Sequence, residues 1–270
     1  MILPLRLGAV LGAVILAVGG CVGPADKIVI TGSSTIAPLM ADLAERYEAE
    51  TGVQVDVQSG GSGRGIQDVR QGLADLGMVS RALKPDESDL TAHVLGRDGV
   101  AMIVNTANPI SALSDWQIIA IYSGKIDDWA EVGGDAGAIT VVHKANGRST
   151  QELFLDYFGL SNDQVRADMV IGENQQGIKA VAGDTKAIGY VSIGTAIYEA
   201  ESGSPLRLLP LEGIPATLEE VARGRYPLSR ELNLVSQGNL SSTVQAFLDF
   251  VTDPSMAEVY HDYYFVASKP

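Results

Sequence analysis

The chain has 270 residues, 46% of them hydrophobic and 19% charged, which excludes a disordered or low-complexity protein and suffices for one large domain or two lobes of about 100–150 residues each. Acidic residues outnumber basic ones 33 to 19, for a net charge of −14, so no nucleic-acid partner is expected, because phosphate-backbone binding needs a clustered basic face. Any anion site must work against this field through local donors, which directs attention to the few arginines beside glycine-rich bends.

In chain order, the first element is a leader. "MILPLRLGAVLGAVILAVGG" (1–20) carries one cation, Arg6, ahead of an apolar run too short and too glycine-rich for a membrane span, and it reads as an export signal. The only cysteine, Cys21, follows Val18-Gly19-Gly20 directly. This stretch resembles the lipobox of bacterial lipoproteins, which implies cleavage before Cys21, a lipid on its sulfur and a membrane tether over 21–26. An internal disulfide is impossible with one cysteine.

"KIVI" (27–30) predicts a strand running into Gly32-Ser33-Ser34-Thr35, after which Ile36, Leu39, Met40, Leu43, Ala44 and Tyr47 recur at amphipathic-helix spacing. Gly52 ends that helix. "VQVDV" (53–57) alternates as a strand, the bend "QSGGSGRGI" (58–66) follows, and Ile66, Val69 and Leu73 mark a second helix before the short strand "LGMVS" (76–80). "VAMIVNTANP" (100–109) predicts a buried strand leaving the first lobe. Ser114 with Gln117 makes a capping-box start for a helix over 115–122. The strand "AITVVHK" (138–144), the bend "ANGRST" (145–150) and the helix "QELFLDYFG" (151–159) repeat the strand–bend–helix plan. A helix near 174–182, a strand over 187–193, a return crossing in "PLRLLPL" (205–211), loops with a short helix over 210–230, a strand at 233–236 and helices near 241–252 and 254–264 complete the chain.

This order predicts an α/β protein of two lobes, 27–105 plus 207–270 and 106–206, each a mainly parallel sheet flanked by helices, with hinge crossings near 105 and 206. Ligands of such sheets gather at the carboxyl ends of strands, where the bends 32–35, 59–65, 80–81 and 146–150 fall. Unpaired N–H groups at helix starts favour an anion there. Hydroxyls of Ser34, Thr35, Ser62, Ser149 and Thr150 add donors, and Gly63 and Gly65 let the backbone approach a ligand. Ser149 with Glu152 also fits a capping box, so capping alone would explain it equally well. Arg148, one residue before a helix, opposes the dipole unless an anion is bound. Arg64 and Lys144 also sit by the bends, where a solvated face accounts for them equally well.

"TGSSTIAPL", "QSGGSGRGI", "DLGMVSRAL", "IYSGKIDDW" and "NGRSTQELF" together resemble the periplasmic phosphate-binding proteins that serve ABC importers, the PstS family. The resemblance covers nearly all of the mature chain. It implies a type II periplasmic-binding fold that closes on phosphate, an ABC permease as partner, and an extracytoplasmic location. Carried over position by position, the anion loops fall on Ser34 and Thr35, on Ser62, on Ser80 and Arg81, and on Arg148, Ser149 and Thr150. In two places the chain departs from the family. Many relatives have an aspartate where Arg81 stands, one that accepts the proton of phosphate. Lys144 stands at a usual arginine, and Arg148 at a usual serine. Sulfate, molybdate or an organophosphate therefore stay open beside phosphate.

Two rivals remain. A serine-dependent phosphate-ester hydrolase needs a positioned base or a metal, yet His93, His143 and His261 are far apart in sequence, and no acidic cluster has ligand spacing. No cofactor or metal is expected. An anion-sensing lipoprotein without a transport role is not separable by sequence. Trp116, Trp129, Phe154, Tyr157 and Phe158 fit helical core positions, and a monomer is the default.

Overall fold

A computed structural model of the protein describes residues 27–268; the export signal, Cys21 and the tether fall outside them. The elements are β1 (Lys27–Gly32), α1 (Ala37–Thr51), β2 (Gln54–Ser59), α2 (Ser62–Arg70), β3 (Leu76–Val79), β4 (Thr91–Asn105), α3 (Asp115–Tyr122), β5 (Thr140–Lys144), α4 (Ser149–Phe158), β6 (Met169–Ile171), α5 (Asn174–Gly183), β7 (Ala187–Ser192), α6 (Ile193–Glu201), β8 (Leu206–Leu208), α7 (Leu218–Ala222), β9 (Ser229–Ser236), α8 (Ser242–Thr252), α9 (Ala257–Asp262) and β10 (Val266–Ala267).

Local chemistry accounts for the boundaries. Gly52 ends α1 in the left-handed region at φ 75°. Ser114 caps α3, its hydroxyl accepting from the Gln117 N–H while the Gln117 side chain accepts from the Ser114 N–H, the predicted box. α6, where apolar residues continue directly from β7, is absent from the sequence expectations. So is the first half of β4, whose "TAHVLGRDG" mixes charges and glycines but is held between β9 and β10.

One continuous sheet has the order β2-β1-β3-β9-β4-β7-β5-β6, with β8 and β10 also pairing to β4. The strands that lead into the bends pair in parallel: β1 with β2 and β3, and β5 with β6 and β7. β4 and β9 run antiparallel to their neighbours and tie the two parallel sets together.

The apolar residues separate into cores on either side of mid-β4. Ile28, Ile30, Leu39, Leu43, Leu232 and Phe247 pack in one; Val100, Ile121, Trp129, Phe154, Ile188 and Tyr190 pack in another. Leu209, Leu211, Ala216, Val221, Tyr226 and Leu228 belong to this second core. Segment 209–228 thus packs with the half to which the sequence expectation did not assign it, because β8 stays paired to Ile103–Asn105 of β4. Of the predicted core aromatics, Trp129 is fully buried whereas Trp116 is 69% exposed on α3.

Candidate functional site

The carboxyl ends of β1, β3 and β5 and the starts of α2 and α4 surround one cavity. It is lined by Ser33, Ser34, Thr35, Gly61, Ser62, Ser80, Lys144, Arg148, Ser149, Thr150 and Gly172. Seven of the nine predicted site residues therefore meet there: Ser34, Thr35, Ser62, Ser80, Arg148, Ser149 and Thr150. They come from bends 18 to 116 residues apart in sequence, and both halves of the sheet contribute.

Donors and acceptors around the hydroxyls decide what the cavity can hold. The Thr35 hydroxyl accepts from Arg230 at 3.0 Å and from the Asn174 amide at 3.2 Å. Ser80 Oγ accepts from Ser33 at 2.9 Å and Arg230 at 3.3 Å. Ser62 Oγ accepts from the Ser80 N–H at 3.1 Å and from the Ser149 hydroxyl. A hydroxyl has two lone pairs and one proton. With both lone pairs engaged, Thr35, Ser62 and Ser80 retain only their protons to offer. Thr150 Oγ1 also accepts from Arg230, at 2.9 Å. The N–H groups of Ser149 and Thr150, first in α4, have no acceptor within the helix. Such a wall donates, and a group with several acceptor oxygens satisfies it.

Arg230, which the sequence reading missed, organises this wall from one layer behind. It stands opposite Asp98 in the β9–β4 register, and its guanidinium donates to that carboxylate at 2.7 and 3.0 Å. Both side chains are completely buried. Burying either charge alone would be costly; together they fix the two remaining guanidinium edges on Thr35, Ser80 and Thr150. No local signal marked the pair: Arg230 in "SRELNLVS" and Asp98 in "LGRDGV" each stand beside another charged residue, Glu231 and Arg97.

Two cations line the cavity itself. Lys144, at the end of β5, is 2% exposed and donates to Asn174 Oδ1 at 2.9 Å. Burial, then the neighbouring positive Arg230, lowers its pKa to about 7. Arg148 donates to Glu173 at 2.8 Å. Burial works against that carboxylate, but bonds from Ser34, Arg148 and Ser59 keep its pKa below the ordinary value.

Two predicted residues lie elsewhere. Arg81 turns away from the cavity: its guanidinium donates to both oxygens of Glu87 at 2.7 Å, to Glu152 at 2.7 Å and to the Ala82 carbonyl at 2.9 Å. These carboxylates balance its charge and, despite burial, raise its pKa. Glu152, engaged by Arg81 and by Lys84 at 3.1 Å, does not form the capping box; Ser149 instead meets Ser62. Gly63 does not line the cavity. Its N–H donates to the Gly147 carbonyl at 3.1 Å, and a Cβ there would stand 3.3 Å from Gly147. Gly61, at φ 93°, is the glycine of this bend that faces the cavity. Gly65 packs against the Thr31 and Met78 carbonyls of the sheet.

The histidines are remote from this chemistry. His143 points to the other side of β5 from Lys144, bonding Tyr190 at 2.8 Å and Asn162 at 3.1 Å, and burial lowers its pKa. His93 bonds Ser236. Among the described residues no group of His, Cys, Asp and Glu is placed to hold a metal, and no helix is long and apolar enough to cross a membrane.

Known proteins share this arrangement. A family model for the PBP superfamily domain matches residues 22–255. The Bacillus subtilis phosphate-binding protein PstS is 26% identical over 231 residues, 83% of this chain and 75% of its own. Among solved structures, a Clostridium perfringens ABC transporter substrate-binding protein with bound phosphate superposes with a TM-score of 0.83 at 27% identity, covering 90% of this chain and 100% of that one. An ABC-type phosphate transport receptor from Vibrio cholerae reaches 0.74 at 30% identity, covering 89% and 100%. The mixed sheet, the donor-lined cavity at its strand ends and these similarities lead to one assignment: the chain belongs to the PBP superfamily and, within it, to the PstS family.

Proposed function

We propose that the protein is an extracytoplasmic solute-binding protein that captures inorganic phosphate between two lobes and delivers it to an ABC permease. The observation that carries this reading is the donor-only character of the cavity wall: Thr35, Ser62 and Ser80 have their lone pairs occupied by protein donors, beside Lys144 and Arg148. A tetrahedral oxyanion supplies the missing acceptors, and helix N-termini favour its charge. In this reading Ser34, Thr35, Ser62, Ser80, Lys144, Arg148, Ser149 and Thr150 hold the anion, while Arg230, Asp98 and Asn174 position them. Arg81 is assigned to lobe contact instead.

The lobes meet at the cavity, where Asn174 reaches Thr35, Ser149 reaches Ser62 and Arg230 reaches Thr150, and around it, where Ser59 reaches Glu173, Gly63 reaches Gly147, and Arg81 and Lys84 reach Glu152. Opening would break these and leave the backbone connections, which we set where β4 passes between cores near Gly99 and where the chain enters β9 near Ser229. Ligand that contacts both lobes then favours the closed form by its added contacts. A lipid on Cys21 would tether the protein, as a monomer, at the membrane's outer face.

Titration calorimetry of the protein with phosphate, sulfate, arsenate and molybdate tests the reading. Phosphate binding well below millimolar is expected; affinity no better than that, about 4 kcal/mol, for all four would refute it.

A further inference from the structure

Resting on that reading, we propose that Lys144 is the proton-coupling group of the site: anion binding charges its amine, so the protein takes up a proton as it takes up its ligand. The geometry is unusual for a lysine. The side chain is 2% exposed, yet among the described residues it has no carboxylate partner; its amine meets only the Asn174 amide oxygen. Asn174 cannot neutralise it, because an amide carries no charge; its NH2 bonds to Thr35 and Thr195 only turn the amide oxygen toward the amine. A buried ammonium without an anion is strongly disfavoured.

The groups around Lys144 reinforce this. From the start of α4 comes the positive Arg148, and from β9 the positive Arg230, whose charge is balanced by Asp98 on its far side. From the start of α5 comes Glu173, the one nearby carboxylate that favours the ammonium, and it is already engaged by Arg148. On β5, His143 faces away and bonds the Tyr190 hydroxyl, which meets Lys144 at its backbone N–H, at 3.3 Å, and not at its amine. These surroundings and burial already bring the amine to about 7. A multiply charged oxyanion in the cavity supplies the missing counter-charge and raises it again.

The consequence is a linkage. The bound form holds more protons at Lys144 than the free form, so affinity falls as pH rises above about 7, by up to tenfold per pH unit where the coupling is complete. No proton need leave the ligand. The same site thereby grips less tightly in alkaline surroundings, which Arg at this position could not do, since a guanidinium does not deprotonate.

The experiment is calorimetric titration with phosphate between pH 8 and 9, in pairs of buffers with different ionisation enthalpies, for the wild-type protein and for Lys144→Arg. Phosphate is mainly the dianion across this interval. Wild type is expected to take up about one proton per phosphate and to lose about tenfold in affinity across the interval; K144R is expected to bind with no uptake and a flat profile. Equal uptake in both proteins, or binding by wild type without uptake, overturns the coupling while leaving the binding function standing. No binding of phosphate by wild type overturns both. NMR of the Lys144 amine in the wild-type protein provides the check should K144R not fold: titration near pH 7 without phosphate and a persistent ammonium through pH 9 with it support the proposal, and an unchanged titration contradicts it.

Discussion

Replacing Arg230 with methionine removes five hydrogen bonds at once: two to Asp98, and one each to Thr35, Ser80 and Thr150. Asp98 would keep only the Gly194 N–H, at 3.3 Å, at a position with no solvent exposure. Breaking a buried ion pair by removing one partner costs about 3–5 kcal/mol, and urea unfolding followed by circular dichroism should show a loss in that range. Binding should suffer separately. Three hydroxyls lose the donor that fixes their protons toward the cavity, and charge-assisted bonds of this kind contribute about 1.5–3 kcal/mol each, so phosphate affinity should drop at least tenfold. The double variant Asp98→Leu with Arg230→Met separates the effects: filling the space with apolar atoms should restore most of the stability but none of the affinity. A stability change under about 1 kcal/mol in R230M, or wild-type affinity in the double variant, would refute the role assigned to Arg230.

Other outcomes follow from the same geometry. Arg148→Ala should weaken phosphate binding by about 1.5–3 kcal/mol in calorimetry, because it loses a charged donor at the cavity and the link to Glu173. Glu152→Ala, which touches no ligand, should leave association nearly unchanged in stopped-flow measurements and speed dissociation about fivefold, from ~1 kcal/mol of part-buried ion pairing between lobes. Gly61→Ala should weaken binding in the same titrations. Its φ of 93° is strained for any side chain, and a Cβ would sit 2.8 Å from the Gly147 carbonyl.

What could be read from sequence depended on the range of the interactions. The bends at 32–35, 59–65 and 146–150 were legible because turn chemistry and helix initiation are written locally, in glycine and hydroxyl residues between apolar runs. Arg81 was not. An arginine after a strand at the ligand end looks like a ligand until its partners are known, and these are Glu87 and Glu152, the latter 71 positions away. Ser149 and Glu152 matched a capping box, but the N-cap of α4 is Arg148, which places Ser149 inside the first turn and leaves the Glu152 carboxylate to Arg81. Arg230 and Asp98 lie 132 positions apart, so their pairing appears only with the β4–β9 register. Segment 209–228 was grouped with the other core for a related reason: it has weak periodicity of its own and takes its place from packing against Val100, Tyr190 and their neighbours.

The most direct test of the central claim is an anomalous difference map from crystals grown with arsenate, a phosphate analogue with a strong X-ray absorption edge. One arsenic peak is predicted within hydrogen-bonding reach of Thr35, Ser62, Ser149 and Thr150, between Lys144 and Arg148. A peak beside Arg81, or anywhere outside that cavity, would contradict the account.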